Sequence, residues 1–294
     1  MASFFCIILF FLVHLHQHNQ IIAKISKSDV TKHTVLSVIP HDSDCYTQGL
    51  TFNDGFLYES CGVNGKSSVR KVNPLTGEIL QQLKLDNNIF AEGLVVIGNL
   101  IYVLTWHNKH MLVIDKRTFE LIGKCRYLTH TGEGWGLTFD GNHFIVSDGS
   151  SRITFFEVPN TAKVSLIAPF YMLKKLREIV VRDADKNEVK LLNELEWLHD
   201  GHIYANVWYK DFILKINVKD GTISELLDLH SLYPHRVRVK SADCLNGIAY
   251  NTTDNTFLLT GKLWPQYYKI NVLPKRRKLP AAGMKNHNYE SIDL

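Results

Sequence analysis

The sequence predicts an all-β protein, a five-bladed β-propeller with four-stranded antiparallel blades. Three observations carry this. First, a short phrase built on Gly-Leu recurs five times, at Gln48-Gly49-Leu50, Glu92-Gly93-Leu94, Trp135-Gly136-Leu137, Asn193-Glu194-Leu195 and Asn246-Gly247-Ile248, spaced 44, 43, 58 and 53 residues apart. Second, each copy runs through an apolar stretch into an Asn, Asp or Gly turn of the hairpin kind. Third, two more strand-like runs follow in every unit, and four strands per 40–50 residues is the mark of a propeller blade. The regularity of the phrase argues against a β-sandwich of similar strands.

The chain has 294 residues. Residues 4–13 are an unbroken apolar run. That is short for a bilayer span of about 20 residues and fits the apolar region of a signal peptide, although no Lys or Arg precedes it. Residues 1–23 are therefore set aside as a signal peptide, with cleavage near Ala23. Residues 24–294 are read as one propeller domain with a short basic tail, Lys275-Arg276-Arg277-Lys278, taken as a solvated end. The mature chain is expected in the secretory pathway, either outside the cell or in a vacuolar or other endomembrane compartment, with no membrane attachment once the signal is removed.

The segment "HTVLSVIPHD" (33–42) precedes the first unit and reads as a strand that completes the last blade, so that the two chain ends clasp the ring and hide its edges. Within the units, second strands read "FLYES", "LIYVLTW", "HFIVSD", "HIYANVW" and "TFLLTGKLW", and third strands read "SVRKVNP", "HMLVIDK", "RITFFEV" and "FILKINV". Fourth strands follow Thr-Gly or Asp-Gly turns, as in "PLTGEILQQL" and "KDGTISELL". The long third interval holds the charged stretch "YMLKKLREIVVRDADKNEVKLL", read as an outer strand plus an excursion.

Blade phasing turns the repeat into a site. The first strand of each blade lines the channel and the second returns beside it, so the start of one and the end of the other share a face. The residue before Gly, at the start, reads Gln48, Glu92, Trp135, Asn193, Asn246. The ends of the second strands are Cys61-Gly62, Trp106, Asp148-Gly149, Trp208 and Lys262. Gly and Leu repeat because they pack the axis. The preceding residue varies because it faces a shared mouth, predicted to hold three tryptophans, a carboxylate, a lysine and several amides. An apolar cup with a few convergent polar groups suits a small molecule or a peptide end. Tryptophan walls would exclude water and raise the pKa of Glu92, making it an acid–base candidate.

Other chemistry is poorly represented. The net charge is +4 and no aromatic-interleaved basic stripe occurs, so no nucleic-acid partner is expected. There is no GxSxG, HExxH or phosphate-cradling glycine loop. The 14 histidines are scattered, and His130, His199 and His235 read as loop residues. With Cys6 in the signal, four cysteines remain, which permits disulfides. Cys45 and Cys61 flank one hairpin and are the favoured pair. Asn251-Thr252-Thr253 is a glycosylation sequon, with Asn251 the acceptor.

From "VIPHDSDCYTQGL" to "GKLWPQYYKINV" the chain resembles the plant-type glutaminyl-peptide cyclotransferases, through "YTQGL", "FAEGL", "GWGL", "LNELEW", "ANVW", "LNGIAY" and "TGKLWP". The resemblance implies a five-bladed propeller that converts the N-terminal glutamine of peptides or proteins to pyroglutamate and releases ammonia. It implies no catalytic metal and no cofactor, with a structural cation in the channel left open, and a monomer is expected. Residue by residue, it implies that Gln48, Phe90, Trp106, Trp135, Asn193 and Trp208 bind substrate, together with Tyr46, where the family often carries Phe. It also places Glu92 and Lys262 in the pocket; of these, Glu92 is read as the catalytic group that takes and returns a proton, and Lys262, with the amides of Gln48 and Asn193, as the catalytic cation that steadies the oxyanion. The interval from Asn193 to Trp208 is one residue longer than the family usually shows, and the charged third outer strand departs from the pattern. Two other classes remain at this point. One is a non-catalytic propeller binding a partner through the same face. The other is a calcium-dependent, lactonase-like hydrolase, disfavoured by Lys262 at the mouth and by the lack of a carboxylate ring.

Overall fold

The computed structural model describes residues 30–273, which form five small sheets arranged as a ring. The expected signal peptide and the basic cluster Lys275–Lys278 lie outside the described residues. The chain enters through β1 (Val30–Thr31) and β2 (His33–Pro40). Blade one then runs β3 (Thr47–Asn53), β4 (Phe56–Cys61), β5 (Ser68–Val72) and β6 (Ile79–Lys84). Blade two runs β7 (Ala91–Ile97), β8 (Leu100–Thr105), β9 (His110–Asp115) and β10 (Leu121–Arg126). Blade three takes β11 (Leu137–Phe139), β12 (His143–Ser147) and β13 (Arg152–Glu157), and after β14 (Tyr171–Met172) it gains β15 (Lys175–Val180). Blade four is β16 (Leu192–Leu198), β17 (His202–Val207), β18 (Phe212–Asn217) and β19 (Ile223–Asp228). Blade five is β20 (Leu245–Asn251), β21 (Thr256–Gly261) and β22 (Gln266–Val272), with β2 antiparallel to β22 as its outer strand. The segment from 33 onward thus closes the ring as its sequence predicts.

The uniform four-stranded antiparallel blade needs one correction. Two sheets carry a fifth, parallel strand at the outer edge: β14 on β10 in blade two, and β1 on β19 in blade four. Both are two-residue additions that occupy edge N–H and C=O groups otherwise left open. Main-chain pairing of this kind leaves no side-chain pattern to read. The excursion in the third interval is the source of β14, so part of it decorates the preceding blade.

Inner strands are buried on both faces because a neighbouring blade flanks each side; β3 is buried over its first five residues. Outer strands such as β6 alternate half-buried and exposed positions along "ILQQLK". The core is divided into seams between blades. Leu50, Leu57 and Val72 of blade one meet Ala249, Leu258 and Tyr267 of blade five, and similar clusters fill the other four seams. The phrase glycines sit where inner strands nearly touch. A Cβ on Gly49 would lie 2.5 Å from the Leu94 nitrogen, and one on Gly136 would lie 2.1 Å from the Asn193 carbonyl oxygen.

Candidate active site

In four of the five blades the phrase forms a β-bulge. Thr47 pairs with Cys61 and Gly49 with Ser60, leaving Gln48 as the extra residue of the ladder. The same one-residue excess falls between Ala91 and Leu94, Leu192 and Leu195, and Leu245 and Ile248. A bulge re-aims a side chain away from the pleat, and here it turns the variable residue of the phrase toward the axis. The return strands are held in phase by one recurring bond. Gly62, Trp106, Trp208 and Lys262 each donate their N–H to the carbonyl two residues before the bulge residue, those of Tyr46, Phe90, Leu191 and Cys244, at 2.8–3.1 Å. Far-separated stretches are thereby delivered to one level of the ring.

They enclose a cavity of about 350 Å³. Every residue predicted to bind or act there lines it: Tyr46, Gln48, Phe90, Glu92, Trp106, Trp135, Asn193, Trp208 and Lys262. Three other positions from the phasing argument do not: Cys61-Gly62, Asp148-Gly149 and Asn246. Asn246 is fully buried, and its amide donates to the Thr47 carbonyl at 2.9 Å. Asp148 turns aside to accept the N–H of Thr131 at 2.9 Å, while Gly149 makes room for the Trp135 ring, which a Cβ there would meet at 2.6 Å. Blade three departs from the common phase because β11 starts late, at Leu137, after an irregular approach.

The walls are aromatic. Phe90 lies 5.3 Å from Trp106 and edge-on to Tyr46 at 6.4 Å; Trp135 and Trp208 meet edge to face at 5.5 Å. The Tyr46 hydroxyl points out of the cavity and donates to Asp243 at 3.1 Å, so its ring, not its oxygen, forms wall. The favoured disulfide, Cys45–Cys61, is present and ties the residue before Tyr46 to the one before Gly62; Cys125 and Cys244 are free and buried.

The polar groups are few. Glu92 is 4 % exposed, and among the described residues its carboxylate has one hydrogen bond, from the Gln48 amide at 3.3 Å. Burial drives its pKa well above the ordinary carboxylate value, against the pull of the Lys262 ammonium and with a push from Glu133. Lys262 is 3 % exposed, and its ammonium lies over the Tyr46 ring at 4.7 Å and the Trp208 ring at 6.0 Å. The Asn193 side-chain oxygen is buried with no protein partner.

Two residues of the site escaped the sequence reading. Val63 lines the cavity rim with φ at +84°, an unusual conformation for a β-branched residue. Glu133 stands behind the walls, accepting the indole N–H groups of Trp106 and Trp135. The signal for Glu133 was the glycine bracket of "GEGWG", which crowds a carboxylate against a tryptophan. As for metals, His41, Cys45 and Glu59 come within 4.8 Å of one another, but Cys45 is in the disulfide and His41 and Glu59 bind each other.

A propeller whose mouth gathers a buried carboxyl, a buried ammonium and an indole cage has the form of an enclosed pocket for a small polar group. Comparison with known proteins makes this specific. Residues 7–272 match the family model for glutamine cyclotransferase. Glutaminyl-peptide cyclotransferase of Arabidopsis thaliana is 36 % identical over 260 residues, covering 87 % of this chain and 73 % of that one. The crystal structure of Myxococcus xanthus glutaminyl cyclase superposes with a TM-score of 0.70 at 28 % identity, covering 83 % of this chain and 97 % of the other. The chain belongs to the glutamine cyclotransferase family.

Proposed function

We propose that Glu92 and Lys262 carry the reaction of this glutaminyl-peptide cyclotransferase, the closure of an N-terminal glutamine to pyroglutamate. The observation behind this reading is that one short-handed buried carboxyl and one buried ammonium face the same aromatic cavity. The substrate's α-amine attacks its own side-chain amide carbon, forming a C–N bond and a five-membered ring. The amine proton passes to Glu92. Glu92 then returns it to the side-chain nitrogen as that C–N bond breaks and ammonia leaves. One group serves both transfers, and its pKa, raised by burial, brings it nearer to the amine it must deprotonate. Lys262 and the amide of Asn193 hold the side-chain carbonyl and stabilise the oxyanion that develops there, each contribution worth roughly 2–4 kcal/mol when well aimed. The indoles hold the glutamine folded, which matters because the reaction is already intramolecular and orientation is most of the task.

The lactonase-like reading has little support. A buried ammonium faces the cavity, and the second nearby carboxylate, Glu133, is occupied by two indoles. The disulfide supports passage through an oxidising compartment, and Asn251 ends β20 at an exposed turn, which supports its use as a glycan acceptor. The test is direct. Purified protein incubated with a Gln-initiated dipeptide should release ammonia and shift the peptide by the mass of one NH₃. An Asn-initiated control, whose ring would be one atom smaller, should not react. Absence of product from the Gln peptide would remove the reading.

A further inference from the structure

Trp106 and Trp135 come from different blades, yet their indole N–H groups converge on a single oxygen. Glu133 Oε2 accepts both, at 2.8 Å each. The third wall follows from these two. Trp208 has no hydrogen bond on its own indole nitrogen and leans edge to face on Trp135, with Tyr209 stacked behind it at 4.6 Å. Glu133 therefore anchors two of the indoles directly and meets the third only through Trp135.

The loop that presents it is tied down at every step. Glu133 donates its N–H to Thr131 Oγ1 at 3.2 Å and accepts from the Thr129 hydroxyl at its carbonyl. Thr131 is in turn fixed by Asp148, through its N–H at 2.9 Å and its hydroxyl at 3.0 Å. On the far side, Gly134 packs so closely on Tyr127 that a Cβ would lie 2.3 Å from the phenol oxygen, and that phenol donates to the Thr105 carbonyl, next to Trp106, at 2.6 Å. The frame thus connects the residues adjoining both indoles. A carboxylate suits this place because it carries only acceptors, and a charged acceptor makes each N–H bond stronger than a neutral one.

We propose that Glu133 is a positioning residue for the cyclisation: by clamping two indoles from different blades it sets the angle of the cavity walls and so the folded shape imposed on the glutamine. The proposal rests on the reading that this cavity holds an N-terminal glutamine.

Glu133→Ala and Glu133→Gln are compared with the unaltered protein, using a Gln-initiated dipeptide, thermal melting and tryptophan emission. The alanine variant should melt cooperatively, shift its emission, and lose about a hundredfold in kcat/KM, mostly in kcat, as a misplacement of about 1 Å would cause. The glutamine variant keeps an acceptor oxygen and should stay within about tenfold of the starting activity. Three outcomes overturn the proposal: an alanine variant with unchanged kinetics, an alanine variant without a cooperative melt, or a glutamine variant as impaired as the alanine one. Failure of the unaltered protein to release ammonia would instead remove the cyclase reading on which the proposal stands.

Discussion

Glu59 and Glu92 lie in neighbouring blades, 0 % and 4 % exposed, and the protein treats them in opposite ways. Glu59 is supplied with donors: His41 Nε2 at 2.9 Å, the Thr47 hydroxyl at 2.8 Å and the Tyr267 hydroxyl at 2.9 Å. Those partners come from the entry segment, blade one and blade five, so Glu59 fastens the ring where its two ends meet. Burial alone would raise its pKa, but His41, Arg70 and Thr47 outweigh burial and hold it below the ordinary value. Burial lowers the His41 pKa too, and Glu59 reverses that; the His41 pKa is raised, and both ring nitrogens face acceptors, Glu59 and the Trp264 carbonyl. Glu92 is given one amide and a cavity, and there burial wins. A carboxylate that binds the fold together is saturated with donors, whereas one that must take and return a proton is left short of them. Glu194 shows that a raised pKa alone does not mark the working group. It occupies the glycine position of the phrase in blade four, its pKa is also well above normal, and it accepts the N–H of Leu50 at 3.3 Å and of Ile248 at 2.8 Å, away from the cavity lining.

The largest expected effect breaks the Glu92 half of this contrast. Glu92→Gln is nearly isosteric and should lower kcat about a thousandfold, the scale of a lost acid–base group. Its melting temperature should fall modestly, since the buried Lys262 ammonium loses the attraction of that carboxyl, but the melt should stay cooperative. Activity within tenfold of normal would mean that another group moves the proton. Glu59→Gln should do the reverse. It leaves His41 without a counter-charge in a buried site and should cost about 3–5 kcal/mol of stability. Chemical denaturation measures the loss, while kcat per folded molecule stays near normal. A variant that keeps its stability would mean that the seam does not depend on this pair.

The Glu92 side of the contrast was legible in the sequence, the Glu59 side was not, and the difference has identifiable causes. Gln48, Glu92 and Asn193 announced themselves because a bulge repeats at the same phrase, and repetition makes the one varying residue conspicuous. Trp106, Trp208 and Lys262 followed because the return strand has nearly fixed length. Asp148 and Asn246 were placed at the mouth by the same rule and are not there, since phasing gives a level in the ring but not the rotation of a side chain. Glu133 was invisible to phasing because it stands on an irregular loop ahead of the shortest inner strand. The parallel edge strands β1 and β14 were invisible because main-chain pairing carries no residue pattern. Glu59 could be assigned to a strand, but its donors lie up to 208 residues away.

A smaller effect sharpens the comparison across pH. Burial raises the Glu196 pKa to about 8, against a hydrogen bond from the Tyr250 N–H, and holds Glu92 and Glu194 well above the ordinary carboxylate value. For a group whose folded pKa is raised, stability is present below the unfolded value near 4.5 and is lost as pH climbs through the folded value. Glu59, held low, has the opposite sign: its contribution is present above the ordinary carboxylate value and is lost as pH falls through its depressed pKa. Melting temperature should therefore decline as pH rises from near 4.5 to about 8, and again in strong acid. Glu196→Gln keeps an acceptor for Tyr250 and cannot ionise, so it should flatten the decline between about pH 4.5 and 8 and leave the strong-acid side unchanged. Parallel slopes for the two proteins across that range would mean that folding does not raise the Glu196 pKa.

The smallest effect tests whether a donor serves a structural carboxylate or the reaction. Tyr46 lines the cavity with its ring, beneath the Lys262 ammonium, but gives its hydroxyl to Asp243, whose other oxygen takes the Cys244 N–H at 2.7 Å. Asp243 is half-buried, so solvent can replace the phenol. Tyr46→Phe retains the ring and its cation–π contact and removes one hydrogen bond to a charged group, at a cost of no more than about 1–2 kcal/mol of stability. Because the lost bond points away from the substrate, kcat and KM for a Gln-initiated dipeptide should both stay within about threefold of normal, less than the tenfold that 1.4 kcal/mol of transition-state binding would represent. A larger fall in kcat with an unchanged melting temperature would place the hydroxyl in the reaction and move Asp243 from the saturated carboxylates to the working ones.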